Sequence, residues 1–110
     1  MKYPTSLLEK RKMTGAGLIA AERKRQIEEE GWSAEHDDRL AKGQLAKAAM
    51  CYCMEPGDDA DDDKKVPPKE WPLKKKLWKP TADSRIRELE KAGALIAAEI
   101  DRLLRKECHS

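Results

Sequence analysis

Between Ile86 and Leu103 the large apolar residues Ile86, Leu89, Ile96, Ile100 and Leu103, with Gly93 in the same register, recur at spacings that alternate between three and four. Only an α-helix brings positions spaced in this way onto one face. The segment holds no proline, so a helix is predicted that starts at an N-cap supplied by Asp83 or Ser84 and runs to about Lys106. A glycine inside such a stripe implies a neighbouring helix that approaches closely at Gly93. No segment alternates polar and apolar residues with period two over a useful length, so strands are not required and the expected fold class is all-α.

A second helix is predicted from Ala16 to Glu30, a stretch of good helix formers with no proline and no glycine after Gly17. Gly31 follows it where a C′ residue takes up the left-handed conformation without steric cost. This helix is weakly apolar: Gly17, Ala20 and Ala21 are small, and Ile19 and Ile27 share a face with Arg23 between them. Ser33 is the next N-cap, with Glu35, Asp37 and Asp38 favouring the positive end of the helix dipole. Ala41, Leu45, Ala48 and Tyr52 then carry a helical stripe to about Met54, with Gly43 a mild interruption. Residues 55–66 read as a flexible acidic loop opened by Pro56-Gly57. Pro67, Pro68, Pro72 and Pro80 punctuate the following connector, which leaves room for one short helix around Leu73–Trp78. Residues 1–14 read as a loosely ordered arm with a short helical turn. The expected organisation is a single helical domain over residues 15–107, with three main helices, an acidic loop and a Pro/Trp-rich connector.

A chain of 110 residues holds one core. With 40% charged and 39% hydrophobic residues that core is thin, and burying the 86–103 stripe against a second copy would enlarge it, so a homo-oligomer is expected. The 23 Lys and Arg nearly cancel 21 Asp and Glu, which excludes a uniformly basic binder of nucleic acid. No apolar run approaches the roughly 18 residues of a membrane helix. The start Met1-Lys2-Tyr3-Pro4 lacks the apolar stretch of a signal peptide, so the expected compartment is the cytoplasm. Cys51, Cys53 and Cys108 as free thiols agree with that compartment.

The densest polar cluster is ERKRQIEEEGWSAEHDD, residues 22–38. If its two helices form a hairpin, Arg23, Gln26, Trp32, His36, Asp37 and Asp38 converge on one pocket. Guanidinium, indole and carboxylates together suit a nucleotide: Arg for phosphate, Trp for a base face, Asp for ribose hydroxyls. The alternative is that Trp32 anchors the core and the acids answer the helix dipole. Glu99, in the apolar run LIAAEI, either joins that lining or pairs with Arg102. A second surface consists of Lys74, Lys75 and Lys76 between Trp71 and Trp78, suited to an anionic partner unless both indoles cover the core. Cys51-Tyr52-Cys53 lacks the second pair that a zinc site needs, and the aspartates at 58–63 lack the glycine and glutamate of a calcium loop. No nucleophile elbow, P-loop, dinucleotide fingerprint or zinc-protease motif is present. Neither a metal nor a cofactor is expected.

The strings ERKRQIEEEGWSAEHDD, GQLAKAAMCY, WP…WKP and R-x-LEKAGALIAAEIDRL together resemble a family of small phage and prophage proteins of unassigned activity. The resemblance covers residues 20–54 and 70–105. Locally, the Gly31-Trp32 pair followed by Asp37-Asp38 is also similar to the ryanodine-receptor repeat domain, a small helical module with a polar pocket. The phage resemblance implies an anti-defence role in the cytoplasm of a bacterial host. The first expectation is a non-catalytic protein that sequesters a nucleotide-derived immune signal. The second is a protein that, in the manner of an anti-CRISPR, blocks a host defence effector. The all-α nucleoside triphosphate pyrophosphohydrolases are similar in helical content and hold Mg²⁺ with acids on facing helices. That third reading would use Glu22 and Glu99, with Gln44 standing where an acid is expected.

Overall fold

The computed structural model describes residues 4, 6–54, 67–81 and 84–108. The acidic loop read at 55–66, the candidate cap Asp83 and the terminal His109 lie outside the described residues. Within them the fold is all-α: α1 (Leu7–Arg11), α2 (Gly15–Glu30), α3 (Ala34–Asp38), α4 (Gln44–Cys53) and α5 (Arg85–Cys108), with one 3₁₀ turn at Lys75–Leu77. No helix among the described residues is long and apolar enough to cross a membrane.

Local side-chain chemistry sets the helix boundaries. The hydroxyls of Ser6, Thr14, Ser33 and Ser84 accept from the backbone N–H three residues on, at 3.1, 3.0, 3.2 and 3.1 Å, so each occupies an orphan donor of a first turn. Gly31 ends α2 at φ 71°. The arm contains α1, and its Lys10 docks on Glu90 at 2.8 Å. The continuous helix expected from Ser33 to Met54 is two helices. Gly43 sits at φ 80°, a left-handed geometry that an α-helix cannot contain, and the chain turns through residues 39–43 before α4 begins.

α5 is the spine, with α4 and α2 packed along it and α3 against it. The core consists of Trp32, Leu45, Ala48, Ala49, Tyr52, Ala92, Leu95 and Ala98, with Leu40, Trp71, Leu73 and Trp78 against it. Alanines at 48, 49, 92 and 98 let α4 and α5 approach closely. The expected stripe of α5 is not the face they use. Ile86, Leu89, Ile96, Ile100 and Leu103 are 43–52% exposed, while Lys91, Leu95, Ala98 and Arg102 on the opposite side are buried. Small residues win this competition because they bring two helix backbones together, whereas the large ones hold them apart.

Gly93 marks the crossing of α2 over α5. A Cβ built there would lie 2.5 Å from Cδ1 and 2.6 Å from Cγ1 of Ile19. Gly93→Ala gains about 1 kcal/mol of helix propensity but overpacks the crossing by about 1–3 kcal/mol, so a net loss is expected. In an Ile19→Ala background the same change is expected to stabilise. Urea denaturation of the four chains reads the sign, and stabilisation by Gly93→Ala in both backgrounds would show that the two residues do not meet.

Candidate functional site

Three polar clusters are built on this frame, and the residues singled out in the sequence divide among them. The first surrounds Glu22, which is fully buried on α2. Its carboxylate accepts from Arg25 Nε at 2.7 Å and Nη2 at 3.0 Å, and from Gln26 Nε2 at 3.2 Å. Arg87 of α5 pairs with it at 2.8 Å. Burial works to raise this carboxyl, but the hydrogen bond from Arg25 and the nearby charge of Arg87 outweigh it and hold the group below the usual range. The lattice continues through Arg25 to Glu30 at 2.9 Å and from Glu30 to Lys79 at 2.5 Å. Gln26 belongs here. Its NH₂ must face the Glu22 carboxylate, which has nothing to donate, so its Oε1 turns away and is buried with no partner among the described residues. It lines a cavity of 20 Å³ with Trp32, Tyr52, Trp71, Lys91 and Leu95. That space holds about one water. A nucleobase does not fit.

The second cluster joins α2 to α3. Asp37, fully buried, accepts from Arg23 Nη2 at 3.0 Å and lies 2.9 Å from His36 Nδ1. The Trp32 and His36 rings are 5.0 Å apart. Arg23, Trp32, His36 and Asp37 therefore do converge, but they fill their own space. Among the described residues Arg23 has only one further carboxylate nearby, Asp101 at 3.8 Å, and its Nε and Nη1 are buried without acceptors. This assembly fixes α3 against α2 and α5.

Trp71 and Trp78 are likewise turned inward. Trp78 stacks on Tyr52 at 4.7 Å, and Trp71 meets the edges of Tyr52 and Trp78 at 5.6 and 4.9 Å. The Lys79 N–H donates to the Tyr52 hydroxyl at 3.0 Å, and Lys91 Nζ donates to the Lys79 carbonyl and to Thr81 Oγ1. Burial pushes the Lys91 amine down to about 8 and the Tyr52 hydroxyl up to about 12. The connector is thus strapped onto α4, with Lys74, Lys75 and Lys76 exposed on it.

The third cluster is open. A groove of 240 Å³ lies between the α3–α4 turn and the end of α5, lined by Asp38, Ala41, Arg102, Arg105 and Lys106. Arg102 is 7% exposed, and its one hydrogen bond among the described residues runs from Nε to Glu99 Oε1 at 2.6 Å. Both of its terminal nitrogens are without an acceptor among the described residues. Arg105 gives Nε and Nη2 to Asp38 at 3.2 and 2.8 Å, and Nη2 to the Ala34 carbonyl at 3.4 Å. Its Nη1 stays free. Hydrogen bonds donated to Glu99 and to Asp38 hold the two arginines charged, above their ordinary pKa. Glu99 therefore orients the Arg102 guanidinium, whereas Asp38 occupies two of the three nitrogens of Arg105. Arg102, Arg105 and Lys106 were not among the residues singled out, because basic side chains in a last helical turn ordinarily answer the helix dipole. The signal available was their spacing, since positions three apart share a face.

Among the described residues no three His, Cys, Asp or Glu side chains gather as a metal site. Glu22 and Glu99 are each bound to a different arginine. Cys51 is buried, which pushes its thiol up, while Cys53 and Cys108 are exposed. No family model, curated protein or solved structure matches the chain.

Proposed function

We propose that this chain is a non-catalytic binding protein for a phosphate-bearing, nucleotide-like ligand, held in the groove between the α3–α4 turn and the last turns of α5. The observation that carries this reading is Arg102: its stem is packed, Nε is held by Glu99, and its two terminal nitrogens have no acceptor among the described residues in an open groove. A planar guanidinium fixed along one edge presents its other edge to a phosphate at little further entropic cost. Arg105 Nη1 and Lys106 bring further positive charge. The pocket expected around Arg23 and Gln26 supports a ligand less well, since the cavity at Gln26 is water-sized and Arg23 is turned onto the fully buried Asp37. The Trp71–Trp78 surface supports a partner less well too, because both indoles are already packed on Tyr52. The groove and the resemblance to small phage proteins together support the reading of a sponge for a nucleotide-derived host signal.

Calorimetry against cyclic and linear nucleotides, with the matching nucleosides as controls, tests this. Phosphorylated ligands are expected to bind saturably and nucleosides not, with binding weakening as salt is raised. Arg102→Gln and Arg105→Gln are each expected to weaken affinity about tenfold or more, the worth of a charged hydrogen bond. No binding at millimolar concentration, or equal binding of nucleosides, overturns the reading.

A further inference from the structure

The face of α5 that points away from the core carries the inference furthest. Ile86, Leu89, Ile96, Ile100 and Leu103 remain 46, 44, 46, 52 and 43% exposed. At about 100° per residue they fall with Gly93 within roughly 100° of arc, in a strip about 26 Å long. Leu104, 55% exposed, borders it. Monomeric proteins rarely leave an apolar strip of this extent in water. Its steps of three, four, three, four and three alternate as in the 3.5-residue repeat of a seam that receives another helix lying nearly parallel to its axis. A flat partner or a short peptide would not require that repeat.

We infer that the occupant is a second copy of this chain, its α5 running antiparallel to the first across a two-fold axis between residues 94 and 95. That axis sets Ile86 opposite Leu103 and Leu89 opposite Ile100, so every large residue meets a large one. It also sets Gly93, the one position without a side chain, opposite Ile96. Ile96 then lands beside Ile19, the α2 side chain that closes over Gly93. A parallel pair would place Gly93 against Gly93, each already covered by the Ile19 side chain of its own copy. The flanking positions near the axis are Ala92 and Ala97, so no charge is trapped at the centre and the helices come close. Antiparallel helix dipoles add to the preference. The interface is isologous, the same strip on both copies, as a closed dimer requires.

Light scattering of the full chain between 1 and 100 μM reads the mass. The expected result is twice the 12.5 kDa of one chain, and a single-chain mass at 100 μM overturns the inference, whether or not another protein can be captured on this face. Ile96→Glu with Ile100→Glu alters only exposed positions. It is expected to raise the dimer dissociation constant at least 100-fold while circular dichroism keeps its helical signal, and a dimer that survives it assigns the contact elsewhere. Orientation is read in a Cys53→Ser, Cys108→Ser background. Ile86→Cys and Leu103→Cys are expected to cross-link when mixed and not alone, whereas cross-linking of either alone shows a parallel pair. None of these readouts involves a nucleotide, so failure here is distinct from failure of the groove.

Discussion

Replacing Glu22 by glutamine is expected to remove about 3–5 kcal/mol of folding stability, the cost of breaking one partner out of a buried ionic cluster. Glu22 is fully buried and is the common acceptor for Arg25 and Arg87. The glutamine fits the space but leaves two guanidinium groups facing an amide. In a domain of this size such a loss lowers Tm by roughly 15 °C or more. Glu22→Leu with Arg87→Met, which removes this pair of charges together and leaves Arg25 on Glu29 and Glu30, is expected to recover most of it, since matched apolar groups avoid the desolvation penalty. The pH dependence has a definite sign. Despite burial, hydrogen bonding by Arg25 and the charge of Arg87 hold the folded Glu22 carboxyl below its ordinary 4.5, so its stabilisation is fully present above that value and is lost as pH falls through the lower folded pKa. Glu30 is shifted the same way, with burial again opposing, through its hydrogen bond from Lys79 and the charge of Arg25. The gap between wild type and Glu22→Gln should therefore narrow in acid. Chemical denaturation at neutral pH and in acid tests both statements, and a variant within about 1 kcal/mol of wild type at neutral pH would show that the cluster is not under this tension.

The parts of this fold legible in the sequence are those decided within one turn of chain. Ser33 and Ser84 cap because a short hydroxyl reaches an N–H three residues on, and Gly31 ends α2 because the left-handed geometry suits glycine. Gly43 carries the same geometry, yet the helical spacing on either side masked it. The α5 stripe was legible as a face that avoids water, but spacing does not say whether its own chain or another covers it. The alanines that win the core are mild in hydrophobicity and speak only through the closeness they permit. Arg23, His36 and Asp37 do meet, as the hairpin suggested, but a sequence does not tell a sealed polar joint from a pocket. The groove joins Asp38 to residues 102–106 across the fold, so no local pattern announces it.

Neighbouring aspartates give the sharpest separation of joint from groove. Asp37 is fully buried between Arg23 and His36, whereas Asp38 is paired with Arg105 and its side chain is 52% exposed. Asp37→Asn is expected to cost about 3 kcal/mol, because Arg23 already has two buried nitrogens without acceptors and would keep only the exposed Asp101 as counter-charge. Asp38→Asn is expected to cost less than about 1 kcal/mol, the scale of an exposed ion pair. Its effect on the groove runs the other way. Removing the one carboxylate lining it frees the Arg105 fork for an external anion, so inorganic phosphate should bind Asp38→Asn more tightly than wild type. Urea denaturation of both variants and calorimetric titration of the second with phosphate provide the measurements. Equal destabilisation by the two changes would count against the joint, and weaker phosphate binding by Asp38→Asn would count against the groove, since the same carboxylate cannot be both competitor and ligand support.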